Sequence, residues 1–171
     1  EISRISKTKR ERSDELPNDF LNIKNPELIE QIHLSYIKAG ADVIETNTFN
    51  SNSIVLSEYS ESHMVSELNR KGVEIARKAV MKSGKDIFIA GSVGPLNISL
   101  SLGSKYSFDD IKNAYREQAE SLLDAGVDIL LFETAHDIIN LKAGLVAVSE
   151  IMGGYDLPVI ASITVDKNGF M

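Results

Sequence analysis

One short pattern occurs twice in the chain and limits its fold more than any other feature. Residues 39–46 read AGADVIET, and residues 125–134 read AGVDILLFET. Each copy joins the glycine that ends a helical pattern to a short apolar run and then to a Glu-Thr pair, as expected of a buried strand that follows a helix. Repetition of such a unit predicts a parallel barrel.

Helical and strand-like patterns alternate along the chain. Apolar residues at helical spacing predict four helices, over residues 26–39, 64–82, 108–125 and 137–152. Short apolar runs between them predict four strands, over residues 41–46, 86–90, 127–132 and 158–165. Strands separated by helices are typical of βα units. We therefore predict an α/β fold with about four parallel βα units, forming part of a (β/α)8 TIM barrel.

Composition excludes several classes of protein. The 171 residues carry a formal net charge of −7, and no basic stripe interleaved with aromatic residues occurs. Nucleic acid and anionic membranes are therefore disfavoured as partners, and a small molecule is favoured. No apolar run approaches the roughly 20 residues of a membrane-spanning helix. We expect a soluble, cytoplasmic protein without a membrane partner.

The two ends of the chain differ from its middle. Residues 1–17 contain five Lys or Arg and four Asp or Glu without apolar periodicity, which predicts a polar loop or tail. Residues 18–171 are assigned to the barrel domain. The chain starts at Glu1 rather than Met, and it stops directly after a strand-like run. Both ends are therefore interpreted as cuts in a longer protein.

Both Glu-Thr pairs are predicted at the C-terminal ends of strands, where barrels of this kind place their active sites. A carboxylate there can bind a ligand's ammonium group through charge-assisted hydrogen bonds. The alternative is that Glu45 or Glu133 only pairs with a neighbouring cation or caps a helix. The same edge carries Asn47, Thr48 and Asn50, which can bind a ligand or simply form turns.

Other candidate motifs are weaker. Gly91–Pro95 (GSVGP) lacks the spacing of a phosphate-binding loop and is predicted to be a tight turn after its strand. His33, His63 and His136 do not form a metal motif, and only His136 is predicted at the ligand-binding edge. The sequence contains no Cys, so it offers neither disulfides nor thiolate metal ligands.

Three segments together resemble a known family. Residues 40–50 (GADVIETNTFN), 90–97 (AGSVGPLN) and 126–140 (GVDILLFETAHDIIN) are similar to the homocysteine-binding domain of cobalamin-dependent methionine synthases. The resemblance runs from about Asn18 to the end of the chain. It implies a (β/α)8 barrel of which this chain supplies strands two to five, with the first strand preceding residue 1.

The resemblance also implies a chemistry. In the family a zinc ion activates the homocysteine thiol as a thiolate, which takes a methyl group from methylcobalamin to form methionine. The implied partners are homocysteine, the remaining half of the barrel, and cobalamin and folate domains. The family's zinc ligands are cysteines in later loops, so this chain holds no zinc ligand and is expected to be inactive alone. The implied substrate-binding residues are Glu133, Thr134, Asp137, Glu45, Asn47 and Ser92.

Two alternatives from other classes stay open. The first is a lyase or aldolase-like barrel in which Glu45 and Glu133 act as acid and base. The absence of an evident Lys at a strand end counts against a Schiff-base version. The second is a non-catalytic interaction module whose open half-barrel pairs with a partner through its sheet edges.

Overall fold

The computed structural model describes residues 16–169. Almost all of the polar loop or tail predicted over residues 1–17 lies outside the described residues, so the domain boundary at residue 18 stays a prediction. Within this range the structure has six α-helices, α1 (Leu21–Lys24), α2 (Pro26–Ala39), α3 (Ser53–Ser57), α4 (Val65–Ser83), α5 (Phe108–Asp124) and α6 (Ile138–Ile151). The four strands are β1 (Val43–Glu45), β2 (Phe88–Val93), β3 (Ile129–Ala135) and β4 (Val159–Ile163).

The strands form one parallel sheet in the order β1-β2-β3-β4. Each strand is connected to the next through helices, so sequence neighbours are also neighbours in space. Helices α2, α4, α5 and α6 pack side by side in that order and cover one face of the sheet. The predicted α/β fold with four parallel βα units is confirmed.

Local signals in the sequence set the ends of the helices. The Asn25 side chain accepts a hydrogen bond from the Leu28 N–H at the start of α2, and Gly40 ends that helix with a left-handed φ of 104°. At α5, Ser107 and Asp110 form a reciprocal capping box. These contacts satisfy backbone groups that a helix leaves unpaired at its ends.

The two faces of the sheet differ in burial. Ile44, Ile89 and Leu130 point toward the helices and are at most 4% exposed. Alternate residues point the other way, since side chains alternate along a strand. On that inner face Val43 is 43% exposed and Phe88 is 57% exposed. The main core therefore lies between the sheet and the helices. Within residues 16–169, no helix is both long and apolar enough to cross a bilayer.

The prediction of a tight turn at Gly91–Pro95 is wrong in its first half, because β2 continues through Val93. Its residues pair with β3 up to the match of Val93 with Phe132. Gly91 allows this packing because a Cβ there would lie only 3.1 Å from a Val127 methyl group and 3.2 Å from Leu122. The glycine thus permits close packing of a strand rather than a turn.

Strand β3 also runs further than predicted, from Ile129 to Ala135 instead of ending at residue 132. Its last part is irregular. The pairing with β4 shifts between Phe132 and Ala135, and Thr134 has a left-handed φ of 57°. The Glu133-Thr134 pair therefore lies within the end of the strand. The short helices α1 and α3 were not predicted.

Candidate functional site

A hollow of about 530 Å³ lies beside the C-terminal ends of β1, β2 and β3, an edge that we call the rim. Its polar end is formed by residues of the three strands and of the loop that follows β1, namely Glu45, Thr46, Asn47, Ser92 and Glu133. Its apolar end is formed by α2 and β1, mainly Ile29, Ile32, Tyr36 and Val43. An amino acid of modest size fits a hollow of this volume.

Glu133 reaches this hollow from β3 and is half-buried. The Ser92 hydroxyl donates a hydrogen bond to Glu133 Oε1. The sheet register explains the contact, because Ser92 is paired with Leu131 and Glu133 is two residues further along the same face of β3. The hydrogen bond orients one carboxylate oxygen and leaves the group at the edge of the hollow.

Glu45 is the last residue of β1 and faces the same hollow. Partial burial raises the pKa of the Glu45 carboxyl, and the negative charge of Glu133 raises it further. Among residues 16–169, the lining of the hollow includes both carboxylates and no Lys or Arg. A cation entering this space would therefore relieve the repulsion between Glu45 and Glu133.

Asn47 lines the hollow but also holds the N-terminal part of the chain against the rim. Its amide nitrogen donates to the Asn18 carbonyl and to Asn22 Oδ1, both at 3.0 Å. The Asn22 amide in turn donates to the Asn47 carbonyl at 2.8 Å. Asp19 adds a buried carboxylate that accepts from the Asn50 backbone at 2.7 Å. These hydrogen bonds hold the loop after β1 against residues 18–22.

Two other predicted site residues lie away from the hollow. Asp137 is buried, and its carboxylate caps α6 by accepting from the backbone N–H of Ile139 at 2.9 Å and of Asn140 at 3.0 Å. It also accepts from the Ser99 hydroxyl and thereby fastens the loop after β2. Thr134 is exposed. The structure thus brings four of the six predicted residues together: Glu45, Asn47, Ser92 and Glu133.

Hydrogen bonds dominate the electrostatics of Asp137. Burial acts to raise the pKa of its carboxyl, but the hydrogen bonds from Ser99, Asn140 and Ser101 outweigh burial and lower the pKa to about 2. A void of only about 10 Å³ adjoins Asp137, His136 and Glu133, which leaves room for no more than a water molecule. Asp137 is therefore ionised and engaged in packing at neutral pH.

Comparison with known proteins identifies the family. The family model described as homocysteine S-methyltransferase matches residues 2–171. The chain belongs to the homocysteine S-methyltransferase family. It is 37% identical over 160 residues to the methionine synthase of Mycobacterium tuberculosis, a match that covers 90% of this chain and 13% of that protein.

Solved structures of the homocysteine methyltransferase MmuM from Escherichia coli resemble it as well. The metallated form gives a TM-score of 0.65 at 27% identity, covering 82% of this chain and 55% of that chain. The apo form gives a TM-score of 0.68 at 25% identity, covering 93% and 59%. The chain thus spans little more than half of these structures and about an eighth of the methionine synthase. Its four parallel βα units are part of a TIM barrel, as predicted.

The zinc ion that the homocysteine S-methyltransferase family implies does not fit the residues present. The sequence has no Cys, and residues 16–169 contain no group of three His, Cys, Asp or Glu placed to hold a metal ion. Of the histidines, His33 is buried beside the hollow, where burial lowers its pKa, and His63 and His136 are exposed.

Sequence reasoning missed the buried residues that hydrogen-bond to the loop after β1 and so support the polar end of the hollow. Gln118 is fully buried in α5, and its amide donates to the Thr48 carbonyl at 2.8 Å. The available signal was a polar residue on the otherwise apolar buried stripe of an amphipathic helix. Asp19 and Asn22 gave no such signal, because the 3-10 turn Asn18–Phe20 and the one-turn helix α1 in which they lie are too short to show periodicity.

Proposed function

We propose that this chain supplies the part of a zinc-dependent homocysteine S-methyltransferase that binds the amino-acid end of homocysteine. The reaction transfers a methyl group to the homocysteine thiol, which loses its proton, and forms methionine. One observation carries the proposal: the carboxylates of Glu45 and Glu133 face a single hollow, and the part of the chain that the structure describes contributes no Lys or Arg to its lining. The family membership of the chain supports the same substrate.

Glu133 is the proposed main partner of the substrate ammonium group. Ser92 occupies one of its carboxylate oxygens, and the other is available for a charge-assisted hydrogen bond. Glu45 adds a second negative charge across the hollow, and Asn47 lies beside it at the mouth. We assign Thr134 and Asp137 a secondary role, in shaping the end of β3 and the start of α6.

The remaining chemistry belongs to parts of the protein outside this sequence. Zinc would activate the thiol and methylcobalamin would supply the methyl group, as the family resemblance implies. The match to only 13% of a methionine synthase supports a parent protein with further domains, which we propose include the second half of the barrel and domains for cobalamin and folate. The chain by itself would then be inactive in methyl transfer.

Binding measurements with a deaminated analogue test the proposal. Homocysteine and 4-mercaptobutanoate differ by the amino group, so the ratio of their dissociation constants isolates recognition of the ammonium group. In the full-length protein that carries this chain, Glu133→Gln should reduce that ratio by about 10- to 100-fold, since a hydrogen bond to a charged group contributes about 1.5–3 kcal/mol.

Glu117→Gln is the matched control, because Glu117 is an exposed carboxylate on the outer helix α5. It should leave the ratio unchanged. An undiminished preference for homocysteine in Glu133→Gln would contradict the assignment of Glu133 as the ammonium partner.

A further inference from the structure

Beyond the end of β1, the side-chain hydroxyls of Thr46 and Thr48 take the place of backbone groups as hydrogen-bond partners of β2. The last backbone bond between the two strands runs from the Thr46 N–H to the Ala90 carbonyl at 2.9 Å. The next β2 residue that faces the same way is Ser92. Its N–H donates to Thr46 Oγ1 at 3.0 Å, and its carbonyl accepts from Thr48 Oγ1 at 2.7 Å.

The proton count of this cluster fixes the direction of every hydrogen bond. Thr46 Oγ1 and Thr48 Oγ1 are 2.7 Å apart, and each hydroxyl has one proton to donate. The Thr48 proton goes to the Ser92 carbonyl, so Thr46 must donate to Thr48 Oγ1. The result is a closed ring from Thr46 to Thr48, to the Ser92 carbonyl, and back from the Ser92 N–H to Thr46.

The ring is rigidly enclosed. Thr46, Thr48 and Ser92 are 4%, 0% and 1% exposed, so water does not compete for their hydrogen bonds. Gln118 donates to the Thr48 carbonyl from one side. On another side Gly72 of α4 leaves room for Thr48, because a Cβ at Gly72 would lie 2.6 Å from Thr48 Cγ2.

The ring leads directly to the candidate site. It holds the Ser92 backbone on both its N–H and its carbonyl, and the Ser92 hydroxyl donates to Glu133. A fixed backbone at Ser92 restricts where that hydroxyl points, and a restricted hydroxyl holds the carboxylate in one orientation. Preorganised polar groups bind a charged ligand better, because the ligand does not have to order them.

We propose that Thr46 and Thr48 are positioning residues that set the preference of this site for a ligand ammonium group, acting through Ser92 on Glu133. Thr48 is fully buried and does not line the hollow, whereas Thr46 lines it and is 4% exposed; the effect requires contact of neither with the ligand. The proposal rests on the proposed function, in which Glu133 binds the substrate ammonium group.

The test compares Thr48→Val, Thr48→Ser and wild type in the full-length protein, again by the ratio of dissociation constants for 4-mercaptobutanoate and homocysteine. Valine keeps the shape of threonine and removes the hydroxyl, so the ratio should fall by about 5- to 20-fold. Serine restores the hydroxyl and should keep the ratio within about twofold of wild type. Ser121→Ala, which removes a hydroxyl bonded to its own helix, should leave the ratio unchanged.

A double-mutant cycle shows whether the effect passes through Ser92. In a Ser92→Ala background, Thr48→Val should cause no further loss of preference. Equal losses in the two backgrounds would overturn the proposal. If Thr48→Val does not fold, Thr46→Val and Thr46→Ser complete the same cycle.

The outcomes separate the two proposals. A wild-type ratio near one removes the ammonium site and, with it, the role of the ring. A high wild-type ratio that Thr48→Val and Thr46→Val both preserve leaves the function standing and overturns the role of the threonines.

Discussion

Glu45 and Glu133 extend from strands that are not neighbours, and the charge of Glu133 still raises the pKa of Glu45 across the hollow. Glu45 is paired with Ala90 of the intervening β2. Ser92, the next residue on the same face of β2, lines the hollow together with both carboxylates and donates a hydrogen bond to Glu133. The two like charges repel each other in the free protein, and a cation that binds between them is attracted to both.

Glu45→Gln should stabilise the free protein at neutral pH. A carboxyl whose pKa is raised by folding binds its proton more tightly when folded, so its ionised form destabilises the native state. The advantage of the variant should be present at pH 7 and disappear as the pH falls below the ordinary value of 4.5. Urea unfolding at several pH values measures it, with Glu120→Gln on α5 as the control. A variant less stable than wild type at pH 7 would contradict the repulsion.

Asp137→Ala should destabilise the protein by about 1–2 kcal/mol at pH 7, the usual effect of losing a helix cap. The pKa of Asp137 is lowered from 3.8 to about 2, so its stabilising contribution is complete above pH 3.8 and is lost between pH 3.8 and 2. The difference between variant and wild type should therefore shrink over that interval. Asp156→Ala, at an exposed position, should change stability by less than about 0.5 kcal/mol. A pH-independent difference would show that the cap does not depend on the charge.

Gly94→Ala should destabilise the protein by about 1–3 kcal/mol, the usual range for overpacking. A Cβ at Gly94 would lie 2.4 Å from the Phe49 carbonyl oxygen, which belongs to the backbone and cannot turn aside. Gly153→Ala is the matched control, since a Cβ there meets nothing within 4 Å. Thermal unfolding of the two variants compares them directly. Equal melting temperatures would mean that the loop after β1 moves freely.

Asp19→Ala should loosen the loop after β1. Asp19 is 1% exposed and accepts hydrogen bonds from the Asn50 N–H and the Ser51 hydroxyl, both at 2.7 Å. Removal of the carboxylate leaves buried donors unpaired, which costs about 1–3 kcal/mol. Amide hydrogen exchange should accelerate at Asn50 and stay unchanged at Leu122 in the core of α5. Unchanged exchange at Asn50 would show that the loop is held by other contacts.

The sequence was sufficient to predict the four long helices and the four strands, because each long helix has an apolar stripe and each strand an apolar run. It also placed Glu45 and Glu133 at the same end of the sheet, since parallel strands share a direction. It did not distinguish a strand from a turn at Gly91–Val93, because a strand that contains glycine has the same sequence pattern as a turn until the residues packed against it are known. The close packing of Leu122 and Val127 on Gly91 decides between the two.

The candidate site was predictable only in part. Ser92 and Glu133 meet because of the register between β2 and β3, which rests on contacts between residues 41 positions apart. The family resemblance implies Asp137 as a substrate-binding residue, and the structure shows its carboxylate accepting hydrogen bonds from the unpaired N–H groups at the start of α6. Local competition of this kind between capping and ligand binding is invisible until the helix start is known.

The inner face of the sheet has a practical consequence for handling this protein. Phe88, Val43 and Ile160 are 57%, 43% and 46% exposed there. Fluorescent dyes that report apolar surfaces should therefore bind the native 171-residue chain as well as its partly unfolded forms. A bright dye signal would be a property of the correctly folded state, so purification and refolding are better followed by the near-ultraviolet circular dichroism of its tyrosines.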